Sequence, residues 1–128
     1  MTWKSDLKRL SDLLRQRQAA IAEAQGHARE ELRGLKEQER DPEYEEGAQT
    51  ELADYTLSLL IENARRELIL IAAALERIED GGYGECIDCG EDIAIGRLSA
   101  IPFAVRCEDD ARLYEDLHRV GRELIPSL

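Results

Sequence analysis

The sequence predicts a mainly α-helical protein. A long antiparallel coiled-coil hairpin fills residues 1–80, and a small globular domain with a C-terminal helix fills 81–128. Three observations carry this expectation. Apolar residues recur in alternating steps of four and three through both halves of the first segment, the seam of a left-handed coiled coil. Pro42 and Gly47 interrupt that pattern midway. Three cysteines then fall at positions 86, 89 and 107 with the spacing of a metal knuckle, which makes the second domain zinc-finger-like.

In the first helix the seam runs through Trp3, Leu7, Leu10, Leu14, Arg17, Ile21, Ala24, Ala28, Glu31 and Leu35. Arg17 and Glu31 interrupt it, either as snorkelling side chains or as points where packing loosens. In the second helix Leu57, Ile61, Ala64, Leu68, Ile71, Leu75 and Ile78 are apolar without exception. Neither helix is stable alone, because most helical stability comes from packing an apolar face. A helix of about 33 residues spans roughly 50 Å. Between the two lies "KEQERDPEYEEGAQT". Pro42 cannot continue a helix interior and drives Asp41 from the α region, so the hairpin tip is expected near 38–48. Gly81 and Gly82 supply the stop of the second helix. The knuckle follows over 83–110. "RCEDDARLYEDLHRVGREL" reads as a final helix with Leu113, Leu117, Val120 and Leu124 on one face, and Glu108, Asp109 and Asp110 suit its positive N-terminus.

Bulk properties narrow the function. The net charge is −11, with 35% charged and 5% aromatic residues. Lys and Arg are scattered among acids, so no stripe exists to neutralise phosphates, and direct DNA binding is not expected. The same acidity disfavours anionic membranes. The longest apolar run, "LILIAAAL" from Leu68 to Leu75, is far below the roughly 20 residues of a membrane span. The N-terminus has no signal-peptide core. A cytoplasmic protein is expected, and the odd number of cysteines then favours metal or redox chemistry over structural disulfides. No serine–histidine constellation, phosphate-binding glycine loop or framed pair of carboxylates marks an enzyme. The heptads can satisfy each other within one chain, so a monomer is expected.

The cysteine spacing is Cys86-x2-Cys89, seventeen residues, Cys107-x2-Asp110. A fourth cysteine would complete a structural zinc signature, and an aspartate oxygen is a rarer fourth ligand. Three readings fit the residues. Cys86, Cys89, Cys107 and Asp110 hold zinc; or Asp110 is only a helix N-terminal acid above buried thiols; or Cys86 and Cys89 form a redox pair. His118 lies more than two turns beyond Asp110 and is expected at the surface. His27 sits in the coil with no partner cysteine.

The stretch "ALERIEDGGYGECIDCGEDIAIGRLSAIPFAVRC", the ligand spacing and the preceding hairpin together resemble the DksA/TraR family of bacterial transcription regulators, with Asp110 where the family has its fourth cysteine. The resemblance covers nearly the whole chain. It implies a regulator that binds RNA polymerase, enters the secondary channel with its hairpin tip and alters promoter-complex stability without chemistry of its own. It also implies zinc as cofactor. The family's tip signature, an acid, any residue and alanine, falls on Glu46, Gly47 and Ala48, which makes Glu46 and Ala48 the candidate active residues of the tip. Where better-studied members carry basic residues for guanosine tetraphosphate, this chain has Leu70, Ile101 and Ala111, so weak or absent synergy with that nucleotide is expected. Two other classes compete with this reading. One is a coiled-coil and zinc-finger module for another protein, indifferent to its tip. The other is a thiol redox sensor, in which Cys86 and Cys89 oxidise and release metal.

Overall fold

A computed structural model describes residues 2–45 and 47–124, with side chains through Arg119. Its helices are α1 (Trp3–Glu39), α2 (Ala48–Asp80), α3 (Ile95–Ala100) and α4 (Glu108–Leu124). Among the described residues there is no strand, and one isolated antiparallel bridge joins Glu85 to Asp92. No described helix is long and apolar enough to cross a membrane. The chain forms two compact units. One combines Met1–Leu14 with Ala73–Leu128, and the other is Arg15–Ala72.

The second unit is an antiparallel helix pair, and its cross-contacts give the register. Arg17 Nε donates to Glu67 Oε1 at 2.7 Å, Gln25 Nε2 to the Ile61 carbonyl at 3.3 Å, and Lys36 Nζ to Asp54 Oδ2 at 2.6 Å. Numbers that rise along one helix fall along the other, as an antiparallel pairing requires. Ala28 and Leu57 are buried in the seam, and Ile21, Leu35, Ile61, Ala64 and Leu68 are half-buried. The expected seam of α2 is therefore the observed one. That of α1 is not. Arg17, Ala24 and Glu31 are exposed, while Gln18, Gln25 and Leu32, each one residue later, are half-buried. The steps of four and three persist, but the intermediate seam position shifts by one residue beyond Leu14. The physical reason is polar satisfaction. Gln25 can turn inward because the Ile61 carbonyl accepts its amide, and Arg17 can turn outward because Glu67 meets it.

The ends of these helices follow from local chemistry. Thr2 Oγ1 accepts from the Ser5 N–H and caps α1. After Glu39 the chain turns tightly. Asp41 Oδ1 accepts from the Glu43 N–H at 2.9 Å, and the Asp41 carbonyl accepts from Tyr44 at 3.0 Å. The Gly47 carbonyl then accepts from Thr50 and Glu51 to start α2. At its far end α2 stops as its sequence demands. Gly81 takes a left-handed φ of 85°, and the Gly82 N–H closes back on the Arg77 carbonyl at 3.0 Å.

The first unit holds most of the buried side chains: Leu10, Leu14, Ala74, Tyr83, Cys86, Ile93, Leu98, Pro102 and Ala104. Phe103 and Val105, on either side of Ala104, are half-buried. Tyr83 spans the core, with its hydroxyl donating to the Pro102 carbonyl at 2.7 Å. Burial pushes that phenol up to about 12, against the pull of Arg77 and Arg9. On α4, Leu113 and Leu117 are exposed. Val120 and Leu124, the rest of that expected face, lie outside the residues whose side chains are described.

Candidate metal centre

The knuckle is a short hairpin built from backbone bonds. Ile93 N–H donates to the Gly84 carbonyl at 2.7 Å, Cys86 N–H to Glu91 at 2.8 Å, and Gly90 N–H to Cys86 at 3.0 Å. Gly90 closes the turn with a φ of 77°, which only glycine adopts without strain. A return bond from Ile87 N–H to the Val105 carbonyl brings the third cysteine alongside. Cys107 then begins α4, since its carbonyl accepts from the Ala111 N–H at 2.8 Å. Three residues after Cys107, Asp110 lies in that first turn, with its carboxylate on the side of the sulfurs.

Ligand atoms of Cys86, Cys89, Cys107 and Asp110 all lie within 4.8 Å of one another. Cys86 Sγ is 3.1 Å and Cys107 Sγ 3.3 Å from Asp110 Oδ2, and Cys89 Sγ is 3.9 Å from Cys107 Sγ. A zinc tetrahedron with Zn–S near 2.3 Å and Zn–O near 2.0 Å has S–S edges of about 3.8 Å and S–O edges of about 3.5 Å. The cluster already approximates those edges. Cys86 is buried, Cys107 half-buried and Cys89 exposed.

Electrostatics favour a cation at the centre. Burial opposes ionisation of Cys86, but the N–H groups of Cys107, Cys89 and Asp88 address its sulfur and lower the thiol below its usual value. The Glu91 N–H favours the Cys89 thiolate, yet Asp110, burial and the other two sulfurs outweigh it and push that thiol up to about 12. Cys107 is also raised: the Asp110 N–H favours its thiolate, and burial with the Asp110 carboxylate and Cys86 prevails. Asp110 is held below the usual carboxylate range by hydrogen bonds from Cys86, Cys89 and Cys107. Four groups that are all anionic when ionised converge on one point, and a divalent cation there removes their conflict. The donor set, its spacing and the backbone N–H groups aimed at the sulfurs fit zinc.

Residues around the cluster fix it. Arg106 Nε meets Asp88 Oδ2 at 2.8 Å, and its guanidinium lies 3.8 Å over the Tyr114 ring. This ties the Cys86–Cys89 turn to α4. Arg97 Nε donates to the Arg106 carbonyl at 2.9 Å, and Arg77 Nη2 reaches the Gly82 and Glu85 carbonyls, both at 2.8 Å. Sequence reasoning gave Arg77, Arg106 and Tyr114 no role, since each acts through a backbone carbonyl or a ring that no spacing rule reports. His118 is engaged within its own helix, 2.9 Å from the Tyr114 carbonyl, and His27 is exposed beside Glu23. Neither joins the cluster. Of the tip residues, Ala48 is the exposed first residue of α2. Glu46 lies outside the described residues.

A helix pair joined to a knuckle with four convergent zinc-type donors defines a class: a small helical protein with a cluster of three cysteine sulfurs and one carboxylate. Residues 81–113 match the prokaryotic dksA/traR C4-type zinc finger. The RNA polymerase-binding transcription factor DksA of Caulobacter vibrioides is 37% identical over 89 residues, which are 69% of this chain and 62% of that protein. The chain thus spans less than two thirds of the length of that curated relative. The solved structure of transcription factor DksA2 from Pseudomonas aeruginosa superposes with a TM-score of 0.79 at 28% identity, covering 91% of this chain and 88% of that one. The DnaK suppressor protein from Agrobacterium tumefaciens is 30% identical with a TM-score of 0.50, covering 83% and 91%. The chain belongs to the DksA/TraR family, with Asp110 in place of the fourth cysteine of its C4 finger.

Proposed function

We propose that this chain is a bacterial transcription regulator that binds RNA polymerase, inserts the hairpin tip into the secondary channel and alters promoter-complex stability. The observation that carries the proposal is the joint likeness, in sequence to a polymerase-binding factor and in fold to another transcription factor. The helix pair suits the role. At 1.5 Å per residue α2 alone is about 50 Å long, a probe able to reach into a channel. The tip adds acidic character through Glu37, Glu39, Asp41, Glu43 and Glu45, against Lys36 and Arg40. Lys36 is already engaged by Asp54 and Glu39. Glu46 and Ala48 are the residues through which the tip acts. Cys86, Cys89, Cys107 and Asp110 hold zinc, which supplies a structural crosslink. The regulator makes and breaks no covalent bond. It acts as a monomer without contacting DNA, from the cytoplasm. Synergy with guanosine tetraphosphate is weak or absent, because Leu70, Ile101 and Ala111 offer no cation to a phosphate.

The test is competition for bacterial core RNA polymerase against a known secondary-channel factor. Mutual displacement is expected. A folded protein that fails to bind would overturn the proposal. Glu46→Lys is expected to retain binding and lose the effect on promoter complexes; an unchanged effect would remove the tip from the mechanism.

A further inference from the structure

The first unit contains a cavity of about 620 Å³, lined by Trp3, Asp6, Gly84, Asp92, Ile93, Ala94 and Ile95. Its wall is set by the chain's single tryptophan. The Trp3 ring rests on Gly84 so closely that a Cβ there would lie 2.6 Å from Cη2, and it stacks on Tyr83 with centroids 6.4 Å apart. Gly84 has a φ of 88°, so both the backbone and the seat of the indole require glycine. Yet 46% of Trp3 remains exposed, and its indole N–H has no hydrogen-bond acceptor among the described residues. A tryptophan held this firmly and left this open is a platform rather than core.

Two carboxylates complete the cavity. Asp92 is exposed and has no ion-pair partner among the described residues. Asp6 has Arg9 at 3.7 Å, but Arg9 also turns to Ser99 Oγ at 3.2 Å, so Asp6 keeps acceptor capacity. An aromatic face with two acids and an apolar floor of Ile93 and Ile95 repels phosphates and attracts a cation carried on an apolar stem. A guanidinium suits it better than an ammonium, because its plane stacks on indole and its fork matches a carboxylate. The volume exceeds one side chain and admits the residues that flank it.

We propose that this cavity is a docking pocket for an arginine side chain of RNA polymerase, with Trp3 as its stacking platform and Asp6 and Asp92 as its counter-charges. This rests on the polymerase-binding reading above and adds to the tip a second point of attachment.

Trp3 reports on its own pocket. The full-length protein is titrated with acetyl-arginine amide at constant ionic strength while tryptophan fluorescence is followed, with acetyl-citrulline amide as the neutral isostere. The arginine probe is expected to change the emission and citrulline to leave it unchanged. Asp92→Asn, at an exposed side chain outside the core, is expected to weaken the probe and the affinity for core RNA polymerase by about fivefold to tenfold. Trp3→Phe serves as a second variant that keeps a ring on Gly84, with a smaller loss of polymerase affinity. Equal responses to arginine and citrulline, or no response to either, would overturn the pocket. A pocket that takes arginine while Asp92→Asn binds polymerase as tightly as the parent would overturn the polymerase as its source. If the parent itself does not bind polymerase, the function proposed above fails and takes this attachment with it, whatever the probe shows.

Discussion

The two compact units are held together by different means. In residues 15–72 the seam is partly polar, through Gln18 and Gln25, and the cross-links are Arg17–Glu67 and Lys36–Asp54, both reached by water. Of the buried apolar residues only Ala28, Leu57 and Ile71 lie in that span. In the other unit a larger set of specific contacts locks a buried core: Tyr83 to Pro102, Arg77 to two carbonyls, Arg106 between Asp88 and Tyr114, and four metal-type donors. Exposed ion pairs add little stability, whereas loss of a buried contact or a metal ligand adds a large penalty. Substitutions should therefore act far more strongly in the knuckle unit than in the helix pair.

The largest effect is expected at the metal. Cys86→Ser removes the buried sulfur toward which three backbone N–H groups turn. Zinc affinity should fall by more than about 100-fold, as judged by competition with a chromophoric chelator. Trp3 emission should change with it, since Trp3 rests on the same hairpin. Asp110→Cys should tighten zinc, and Asp110→Ala should weaken it. An affinity indifferent to position 110 would show that the carboxylate is only a helix N-terminal acid.

Next comes Gly84. An alanine there meets both a left-handed φ and the Trp3 ring, and about 3 kcal/mol of stability should be lost in denaturant unfolding. No comparable glycine stands in the helix pair: a Cβ on Gly26 or Gly34 meets nothing within 4 Å. Gly26→Ala and Gly34→Ala should be neutral or stabilising. A loss at those positions as large as at Gly84 would erase the contrast between the units.

Legibility in the sequence follows the same divide, for physical reasons. Cys86, Cys89, Cys107 and Asp110 could be grouped from spacing alone, because a turn and a helix start each fix the separation of two donors. The Gly81 stop and the α2 seam were legible for a similar reason, since one local rule decides each. Trp3 on Gly84 was not, because contact between residues so far apart leaves no period in the chain. The α1 seam misled because Ala24 scores as apolar and Gln25 as polar, whereas Gln25 has an acceptor waiting on α2 and small Ala24 has little to bury.

Tyr83 gives a pH handle on the knuckle unit. Its phenol is raised from about 10 to about 12 by burial. A group whose folded value lies above its unfolded one contributes full stability below the unfolded value and loses it as pH rises through the folded one. Stability should thus decline between pH 10 and 12 by about 2 kcal/mol. Tyr83→Phe, which lacks the hydroxyl on Pro102, should start lower by about 1 kcal/mol and lose that component of the alkaline slope. Parallel slopes for both proteins would place the alkaline transition elsewhere.

The smallest effect tests the helix pair from its own side. Gln25 holds a half-buried seam position and makes one long bond, 3.3 Å, to a carbonyl that α2 also uses internally. Gln25→Leu gives up that bond and gains apolar burial against the aliphatic seam of α2. The two terms are of similar size, and the burial of a few methylenes should prevail by about 0.5–1 kcal/mol. A rise in thermal stability is expected, with zinc affinity unchanged. A fall would mean that the Gln25–Ile61 bond fixes the register of the pair, because an α1 seam left with Gln18 as its one remaining glutamine can slide by the one residue that separates the expected pattern from the observed one. Register would then be the property that the polar seam protects, and the helix pair would prove as specifically built as the knuckle.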